Sequence, residues 1–232
     1  MAVKPPKDKT PFPAVNGKAG LPQQQVNLKS NPFYLFVKRT MDLFGALTGL
    51  IVLLPIFLVI ALLIKWTDPV GPVIFKQVRI GRNGKPFRIY KFRSMVHNAE
   101  DLLGNLLNQN ETNGPMFKMK NDPRVTRIGR FLRRTSLDEF PQLVNVLKGE
   151  MSLVGPRPPL PREVNAYTER DKQRLLVKPG CTGLWQVEGR SNIGFETMVQ
   201  LDLEYIHHRN ILLDLKIILK TIPLLFHSNN AY

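Results

Sequence analysis

Residues 43–64 form an apolar run without a single charged side chain, and this run constrains the fold more than any other feature. Its length matches the roughly 20 residues that a helix needs to cross the core of a bilayer. Pro55 lies in its middle, where proline removes a backbone donor and kinks a helix. Basic residues flank both ends, so the positive charge does not choose a direction. Two topologies stay open: a kinked spanning helix, which the residues alone slightly favour, and a helix that breaks near Pro55 and returns.

The charge balance of the chain indicates an anionic partner. The sequence has 33 Lys and Arg against 18 Asp and Glu, a formal net charge of +15. This excess fits nucleic acid, an anionic membrane surface or phosphorylated substrates, and composition does not choose among them. A single cysteine, Cys181, excludes an intrachain disulfide and forms no zinc-ligand pattern with the histidines.

Three parts follow one another along the chain. Residues 1–32 are rich in Pro, Lys, Gln and Asn, and we expect a disordered basic tail that is either a solvated leader or weakly attracted to anionic lipid. Residues 33–66 hold the membrane helix, and residues 67–232 form the remaining domain.

Within this domain the patterns predict a hairpin followed by helices. Two β-rich runs, 73–80 and 87–92, are separated by a segment containing Asn83 and Gly84, which is typical of a hairpin. Three prolines exclude a helix over residues 153–159. Helices are predicted over residues 98–113 in part, 140–147 with Gly149 as terminator, 161–175, 195–208 and 212–226. The last is too short and too charged to span a membrane, and suits an interfacial or a core-packed helix equally.

The densest polar stretch, residues 124–141, places five arginines before the adjacent carboxylates Asp138 and Glu139. The planar fork of arginine binds two phosphate oxygens at once. Adjacent carboxylates suit Mg²⁺, and a carboxylate can attack phosphorus to form an acyl phosphate. These parts make a consistent set for phosphoryl transfer. The alternative is a helix cap, either Ser136 with Glu139 or Asp138 ahead of Pro141, and the pattern alone favours a cap.

Three further stretches carry candidate binding residues. Prolines hold Arg157 on a stiff, non-helical segment, which suits a phosphate clamp. Residues 90–95 place Lys91 and Arg93 on one strand face, and residues 183–192 offer Gln186 and Arg190 as donors. Each has a plain alternative: a rigid turn with an incidental arginine, a solvated strand face, and a loop around a core tryptophan.

The combination of these motifs resembles the bacterial sugar transferase family, the monotopic polyprenyl-phosphate phosphoglycosyl transferases. The similar residues run in the order KRTMDLFGA, VIFKQVRIGRNGKPFRIYKFRSM, DPRVTRIGRFLRRTSLDEFPQLVNVLKGEMSLVGPRP, KPGCTGLWQVEGRS and LDLKIILKT. The resemblance implies transfer of a sugar-1-phosphate from a UDP-sugar to polyprenyl (undecaprenyl) phosphate, with release of UMP. GLWQVEGRS is more similar to members that transfer a hexose-1-phosphate, such as galactose or glucose. The chain resembles the short form found in exopolysaccharide and capsule pathways, without a multi-helix N-terminal membrane domain.

The resemblance also implies roles for the candidate residues. Asp138 would be the nucleophile that forms a covalent aspartyl-phosphosugar intermediate, and Glu139, together with Asp138, would hold Mg²⁺. Phosphate or substrate binding is implied for Lys91, Arg93, Arg133, Arg157, Gln186 and Arg190.

The expected architecture is α+β and mainly helical, with a short β-hairpin and amphipathic interfacial helices around a small cytosolic catalytic domain. The family implies a re-entrant membrane helix, with catalysis at the cytoplasmic face of the cell membrane. Leu54-Pro55 stands where the break is commonly Ser-Pro, so a hydroxyl that could satisfy freed backbone groups is missing. The expected partners are the UDP-sugar, the polyprenyl phosphate and membrane lipid, but not nucleic acid. Contacts with other glycan-assembly enzymes and a homodimer stay open.

Two other functions also stay open. A non-catalytic, membrane-anchored basic protein would bind nucleic acid or anionic lipid, as the net charge allows. No helix-turn-helix or aromatic-rich RNA motif supports it, and such a relative would be expected to lose Asp138 or Glu139. An enzyme that transfers the sugar alone would release UDP rather than UMP.

Overall fold

The computed structural model describes residues 31–111, 117, 119, 121–189 and 193–226. Most of the expected basic tail, residues 1–30, lies outside this part of the chain. Helices dominate the described residues, and the strands form two small sheets, one antiparallel pair and one parallel pair. The predicted α+β class, mainly helical, is confirmed.

Helix α1, Pro32–Thr67, contains the whole apolar run. It begins after Asn31, whose side chain accepts hydrogen bonds from the amides of Phe33 and Tyr34. The helix continues through Pro55, so the break expected there does not interrupt it. Both flanking halves pack on the rest of the chain, and this support lets the helix absorb the hydrogen bond that proline removes.

Helix α1 lies along the domain on one face and is uncovered on the other. In its first half, the buried carboxylate of Asp42 accepts hydrogen bonds from the Ser152 hydroxyl and the Leu153 amide, both at 2.9 Å. In its second half, Ile60 is buried in a cluster with Phe92. By length and composition α1 could cross a membrane, and only 11% of its most apolar window is buried. Its exposed apolar side chains include Phe33, Phe36, Phe44, Leu47, Ile51, Val52, Leu54, Leu58, Val59, Leu62 and Trp66.

The predicted hairpin is confirmed. Strands β1, Ile74–Ile80, and β2, Pro86–Phe92, pair antiparallel around a 3₁₀ turn, Arg82–Gly84. The chain reverses at Asn83 and Gly84, whose φ angles of 56° and 76° lie in the left-handed region. Asparagine and glycine tolerate this region better than other residues.

The central part of the chain consists of short helices. A 3₁₀ helix, Asp101–Gln109, takes the place of the short helix expected over residues 98–113. Helix α2, Arg127–Arg134, is capped by the hydroxyl of Thr126. A second 3₁₀ helix follows, Leu137–Gln142, here called the dyad helix because it carries Asp138 and Glu139. Helix α3, Leu143–Lys148, ends at Gly149 with a φ of 79°, as predicted.

The helix expected over residues 161–175 is divided. It lies between strands β3, Ser152–Val154, and β4, Gly180–Thr182, which pair in parallel. A new helix starts at Thr168, because its hydroxyl accepts from the amide of Asp171 while the Asp171 carboxylate accepts from the Thr168 amide. The pieces are α4, Pro161–Asn165, α5, Glu169–Lys172, and a 3₁₀ helix, Gln173–Leu176.

Three helices complete the described chain: α6, Leu184–Glu188, α7, Phe195–His208, and α8, Ile211–Phe226. Helix α7 has the predicted bounds. Helix α8 has two faces, since Asp214 and Ile217 are buried while Leu212, Leu215, Leu219 and Ile222 are exposed. The Asp214 carboxylate accepts hydrogen bonds from the hydroxyls of Tyr34 and Tyr205, which ties α8 to α1. One face is therefore core-packed, and the other is apolar and exposed, as an interfacial helix requires.

Candidate active site

Two adjacent carboxylates lie in the first turn of the dyad helix. Asp138 is 7% exposed, whereas the side chain of Glu139 is 37% exposed. Ser136 precedes the helix with a φ of 56°, and its hydroxyl caps no amide. Neither expected cap forms, because Ser136 makes no capping bond and Asp138 lies inside the helix. A left-handed serine is uncommon, and such residues concentrate at functional sites.

Lys91 reaches the dyad from strand β2. Its ammonium lies 2.6 Å from Oε1 of Glu139. The strand is held by the buried Asn145 of α3. Its Oδ1 accepts a hydrogen bond from the Tyr90 backbone N–H at 3.1 Å, and its Nδ2 donates to the Arg88 carbonyl at 2.7 Å. An apolar residue at 145 would leave these backbone groups without partners. A buried amide therefore sets the position of Lys91 against the dyad.

Arg133 approaches Asp138 from the last turn of α2. Its Nε donates to the hydroxyl of Ser94 at 2.9 Å, which fixes one edge of the guanidinium, and its charge acts on Asp138. Helix α2 comes this close because residue 129 is glycine. A Cβ on Gly129 would lie 1.8 Å from the Ser94 carbonyl oxygen.

Arg157 projects from the proline-rich segment, residues 155–159, as the sequence predicts. Its Nη1 lies 3.2 Å from Oε2 of Glu163, a fully buried carboxylate of α4. Its positive charge acts on Glu139. The stiff segment and Glu163 thus hold a cation near the second carboxylate of the dyad.

Arg79, near the end of β1, belongs to the same group and was missed in the sequence. It is 8% exposed, and it donates to the Pro158 carbonyl at 3.0 Å and to the Gln77 side chain at 2.8 Å. Its charge also acts on Glu139. The strand pattern concealed it, because an arginine between two aliphatic residues is typical of a solvated face. Here the neighbouring Val78 is the exposed side chain.

These charges shift the pKa values of the two carboxylates in opposite directions. Burial raises the pKa of Asp138 and Glu139 adds to this effect, while Lys91 and Arg133 oppose it. Burial also acts to raise the pKa of Glu139, but Lys91 and two of the arginines outweigh it, so that pKa is lowered. The dyad therefore combines one readily ionised carboxylate with one whose ionised form is poorly solvated.

Arg93 was expected to share a strand face with Lys91, and the structure directs it elsewhere. Strand β2 ends at Phe92, and the buried guanidinium of Arg93 donates to the Asp68 carbonyl and pairs with its carboxylate at 3.5 Å. A Cβ on Gly71 would overlap the same guanidinium. The hydrogen bonds of Arg93 thus fasten the loop after α1.

Gln186 lies on α6, beside β4. Its side-chain amide donates to the carbonyl of Cys181 at 3.4 Å, and its buried Oε1 has no hydrogen-bond partner among the described residues. Burial raises the pKa of the Cys181 thiol, and the nearby Glu139 adds to this effect. The Cys181 thiol therefore stays protonated. The other candidate of this stretch, Arg190, lies outside the described residues.

The donor set of the dyad fits a divalent cation. Within the described residues, no group of three or more His, Cys, Asp and Glu side chains could hold a metal ion. Asp138 and Glu139 offer adjacent carboxylate oxygens, of which Oε1 of Glu139 is bonded to Lys91. Mg²⁺ is commonly held by one or two carboxylates, with water and substrate phosphates as the other ligands. The two carboxylates therefore fit part of the ligand set of a magnesium ion, and water or phosphate oxygens would have to supply the rest.

A buried carboxylate beside prepositioned cations provides the parts that a phosphoryl-transfer site needs. The uncovered apolar face of α1 is a surface of the kind that a membrane or another apolar partner covers.

Comparison with known proteins identifies the family. The profile described as bacterial sugar transferase matches residues 33–228. The chain is 48% identical over 201 residues to the galactosyl transferase CpsE of Streptococcus agalactiae, covering 85% of this chain and 44% of the relative. It is 45% identical over 205 residues to the undecaprenyl-phosphate galactose phosphotransferase of Salmonella typhimurium, covering 85% and 42%. It is 40% identical over 199 residues to the exopolysaccharide production protein ExoY of Sinorhizobium fredii, covering 84% and 88%.

The chain therefore belongs to the bacterial sugar transferase family, and the resemblance found in the sequence is confirmed. It spans less than half the length of CpsE and of the Salmonella protein, and most of the length of ExoY.

Proposed function

We propose that this chain transfers a sugar-1-phosphate from a UDP-sugar to a polyprenyl phosphate, with Asp138 as the nucleophile. The observation that carries the proposal is the setting of Asp138, a buried carboxylate beside Glu139 and within the field of Lys91 and Arg133. Family membership supports it, as does a relative named as an undecaprenyl-phosphate galactose phosphotransferase.

In the first step, a carboxylate oxygen of Asp138 attacks the β-phosphorus of the UDP-sugar. A bond forms between this oxygen and phosphorus, and the bond from phosphorus to the bridging oxygen breaks. The electron pair of the broken bond leaves with UMP, and the sugar phosphate remains on Asp138 as an acyl phosphate. Lys91, Arg133 and Arg157 are fixed before the substrate arrives, so they stabilise charge on the phosphates without reorganisation.

In the second step, an oxygen of the polyprenyl phosphate attacks the same phosphorus. The bond to Asp138 breaks, the carboxylate is regenerated, and the product is a polyprenyl diphosphate sugar. Lys91 keeps Glu139 ionised, so Glu139 and Asp138 present carboxylate oxygens to a cation. A magnesium ion bound there supplies positive charge to the phosphate oxygens.

We infer that the donor carries a hexose, galactose or glucose, and that the reaction begins glycan assembly for an exopolysaccharide or capsule. Two relatives with names that refer to galactose, CpsE and the Salmonella protein, support the hexose. The name of ExoY supports the pathway.

We also propose that both ends of α1 lie on the cytoplasmic side of the membrane. Asp42, in its first half, bonds to Ser152, and Ile60, in its second half, packs with Phe92. A helix that crossed the bilayer would have to give up one of these contacts with the same domain. Cations before and after the apolar run agree with this topology.

The proposal is tested by assaying UMP release from the full chain in detergent with Mg²⁺, polyprenyl phosphate and either UDP-galactose or UDP-glucose. We expect release with one of these donors, and loss of release in Asp138→Asn and Glu139→Gln. Glu169→Gln is the matched control, because Glu169 is an exposed carboxylate that pairs with Lys172 on the surface. Release that survives in Asp138→Asn would refute the covalent mechanism. Release of UDP would indicate transfer of the sugar alone, and failure with a wide panel of UDP-sugars would favour a basic binding protein.

A further inference from the structure

A buried arginine without a carboxylate partner lies beside the dyad. Among the described residues, the guanidinium of Arg79 donates to two neutral acceptors, the Pro158 carbonyl and the Gln77 side chain. Its buried Nε finds no hydrogen-bond partner within the described ranges. In the part of the chain that the structure describes, Arg79 forms no ion pair with a carboxylate. A buried charge is expensive unless an opposite charge compensates it, so this arrangement needs an explanation.

A second guanidinium lies close to the first. Burial lowers the pKa of Arg79 to about 9, and the positive charge of Arg157 adds to this effect, while the charges of Glu163 and Glu139 oppose it. The acids near this pair already have partners, because Glu163 is paired with Arg157 and Glu139 with Lys91. Among the described residues, the carboxylates near Arg79 therefore form their direct ion pairs with other cations.

The end of β1 also holds the segment from which Arg157 projects. The amide of Ile80 donates to the Pro159 carbonyl at 2.9 Å, next to the bond from Arg79 to Pro158. Arg79 and Ile80 of β1 thus donate hydrogen bonds to the carbonyls of Pro158 and Pro159, in that order. A displacement of Arg79 would carry the Arg157 segment with it.

We propose that Arg79 is a positioning residue for a substrate phosphate, holding the segment that presents Arg157 and supplying the positive charge that this phosphate neutralises. The ligand class is a phosphate or diphosphate ester, carried by the nucleotide donor or by the lipid acceptor. Guanidinium groups suit such ligands because they hold their charge and match the geometry of phosphate oxygens. This inference rests on the proposed function, since it assigns Arg79 to the same substrates.

The test measures equilibrium binding to the full chain in detergent, separately for UMP, UDP-galactose, UDP-glucose and a polyprenyl phosphate. In Arg79→Met we expect the affinity for at least one ligand to fall by about tenfold or more, the size of effect typical of lost charge-assisted bonding. Arg79→Lys keeps the charge, but a lysine cannot bond to Pro158 and Gln77 at once. The affinity of this variant for the affected ligand should therefore lie between that of Arg79→Met and that of the wild type. The matched control is Arg82→Met, an exposed arginine of the same hairpin, which should bind like the wild type.

Which ligand is affected identifies the source of the phosphate. Weaker binding of nucleotides alone assigns the arginine pair to the donor, and weaker binding of the lipid alone assigns it to the acceptor. A merely structural role would reduce the amount of competent protein without changing the affinity of the folded fraction. If Arg79→Met does not fold, the Arg79→Lys titration decides.

Wild-type affinity for every ligand in the folded variants would overturn the role of Arg79 and leave the proposed function standing. A wild-type chain that binds none of the ligands would overturn both.

Discussion

Replacing Lys91 with Met tests the electrostatic reasoning at the dyad. Burial raises the pKa of Asp138 to about 6, despite the opposing charge of Lys91. If Asp138 is the nucleophile, as proposed, it must be ionised to react, so activity of the native chain should fall as the pH drops through about 6. Lys91 lowers the pKa of both carboxylates, and its removal should move this acid limb to higher pH.

The size of the shift follows from the geometry. The Lys91 ammonium is 2.6 Å from Glu139, and the two side chains are 22% and 37% exposed. An unscreened pair near a protein surface is worth about 4 kcal/mol at an effective dielectric constant near 20, whereas exposed pairs contribute about 1 kcal/mol or less. This partly exposed pair lies between these limits, at about 1–2 kcal/mol. One pKa unit corresponds to about 1.4 kcal/mol, so loss of the pair should raise the pKa of Glu139 by about one unit. Lys91 also lowers the pKa of Asp138 without a direct bond to it, so we expect the acid limb, which follows Asp138, to move to higher pH by at most about one unit.

The assay is the initial rate of UMP release across the range from about pH 5 to pH 9, fitted for its acid limb. The matched control is Lys148→Met, which removes an exposed lysine bonded to the Tyr90 hydroxyl, one residue along β2 from Lys91. An acid limb that stays in place in Lys91→Met, or moves to lower pH, would refute the assigned electrostatics. An equal shift in the control would show that the effect belongs to net charge.

Three further predictions concern stability. The pKa of Asp138 is higher in the folded chain than its ordinary value of 3.8, so its contribution to stability is lost as the pH rises through about 6. Asp138→Asn should therefore raise the free energy of unfolding by roughly 1–3 kcal/mol at high pH and leave it unchanged at low pH. Thermal unfolding at two pH values measures this difference. Gly129→Ala should destabilise the fold by about 1–3 kcal/mol, because the new Cβ would meet the Ser94 carbonyl at 1.8 Å; a denaturant titration that matches the wild type would contradict it. Asp214→Leu should leave Lys38 of α1 without its ion-pair partner and destabilise the fold by about 3 kcal/mol, with faster hydrogen exchange at the start of α1.

Local chemistry made much of the fold predictable. The hairpin follows from Asn83 and Gly84, which accept left-handed φ angles, and the end of α3 follows from Gly149 for the same reason. The bounds of α7 follow from its helical spacing of apolar residues. In these elements the residues that determine the structure lie within a few positions of one another, so the local sequence is enough to predict them.

Other predictions failed where the cause lies far away in the chain. Ser136 and Asp138 fit a capping pattern, but the backbone at Ser136 is left-handed and no cap forms. Arg93 fits a strand face beside Lys91, but its partner is Asp68, at the end of α1. Arg79 looks solvated within its strand, and only the carbonyls of residues 155–159 explain its burial. Spacing along the chain cannot reveal such partners, because they meet only after folding.

The same packing joins the apolar helix α1 to the two elements that carry the charged residues of the candidate site. Phe57 of α1, two residues after Pro55, packs edge-on against Phe92 with ring centroids 5.3 Å apart, and stacks on Phe140 at 6.5 Å. Phe92 directly follows Lys91, and Phe140 directly follows Glu139. Strand β2 and the dyad helix therefore turn their aromatic residues to the apolar helix and their charged residues to each other. If the proposed acceptor is a polyprenyl phosphate, the apolar side of this packing would face its chain and the charged side its phosphate, so a single arrangement of strand β2 and the dyad helix would serve both parts of the lipid.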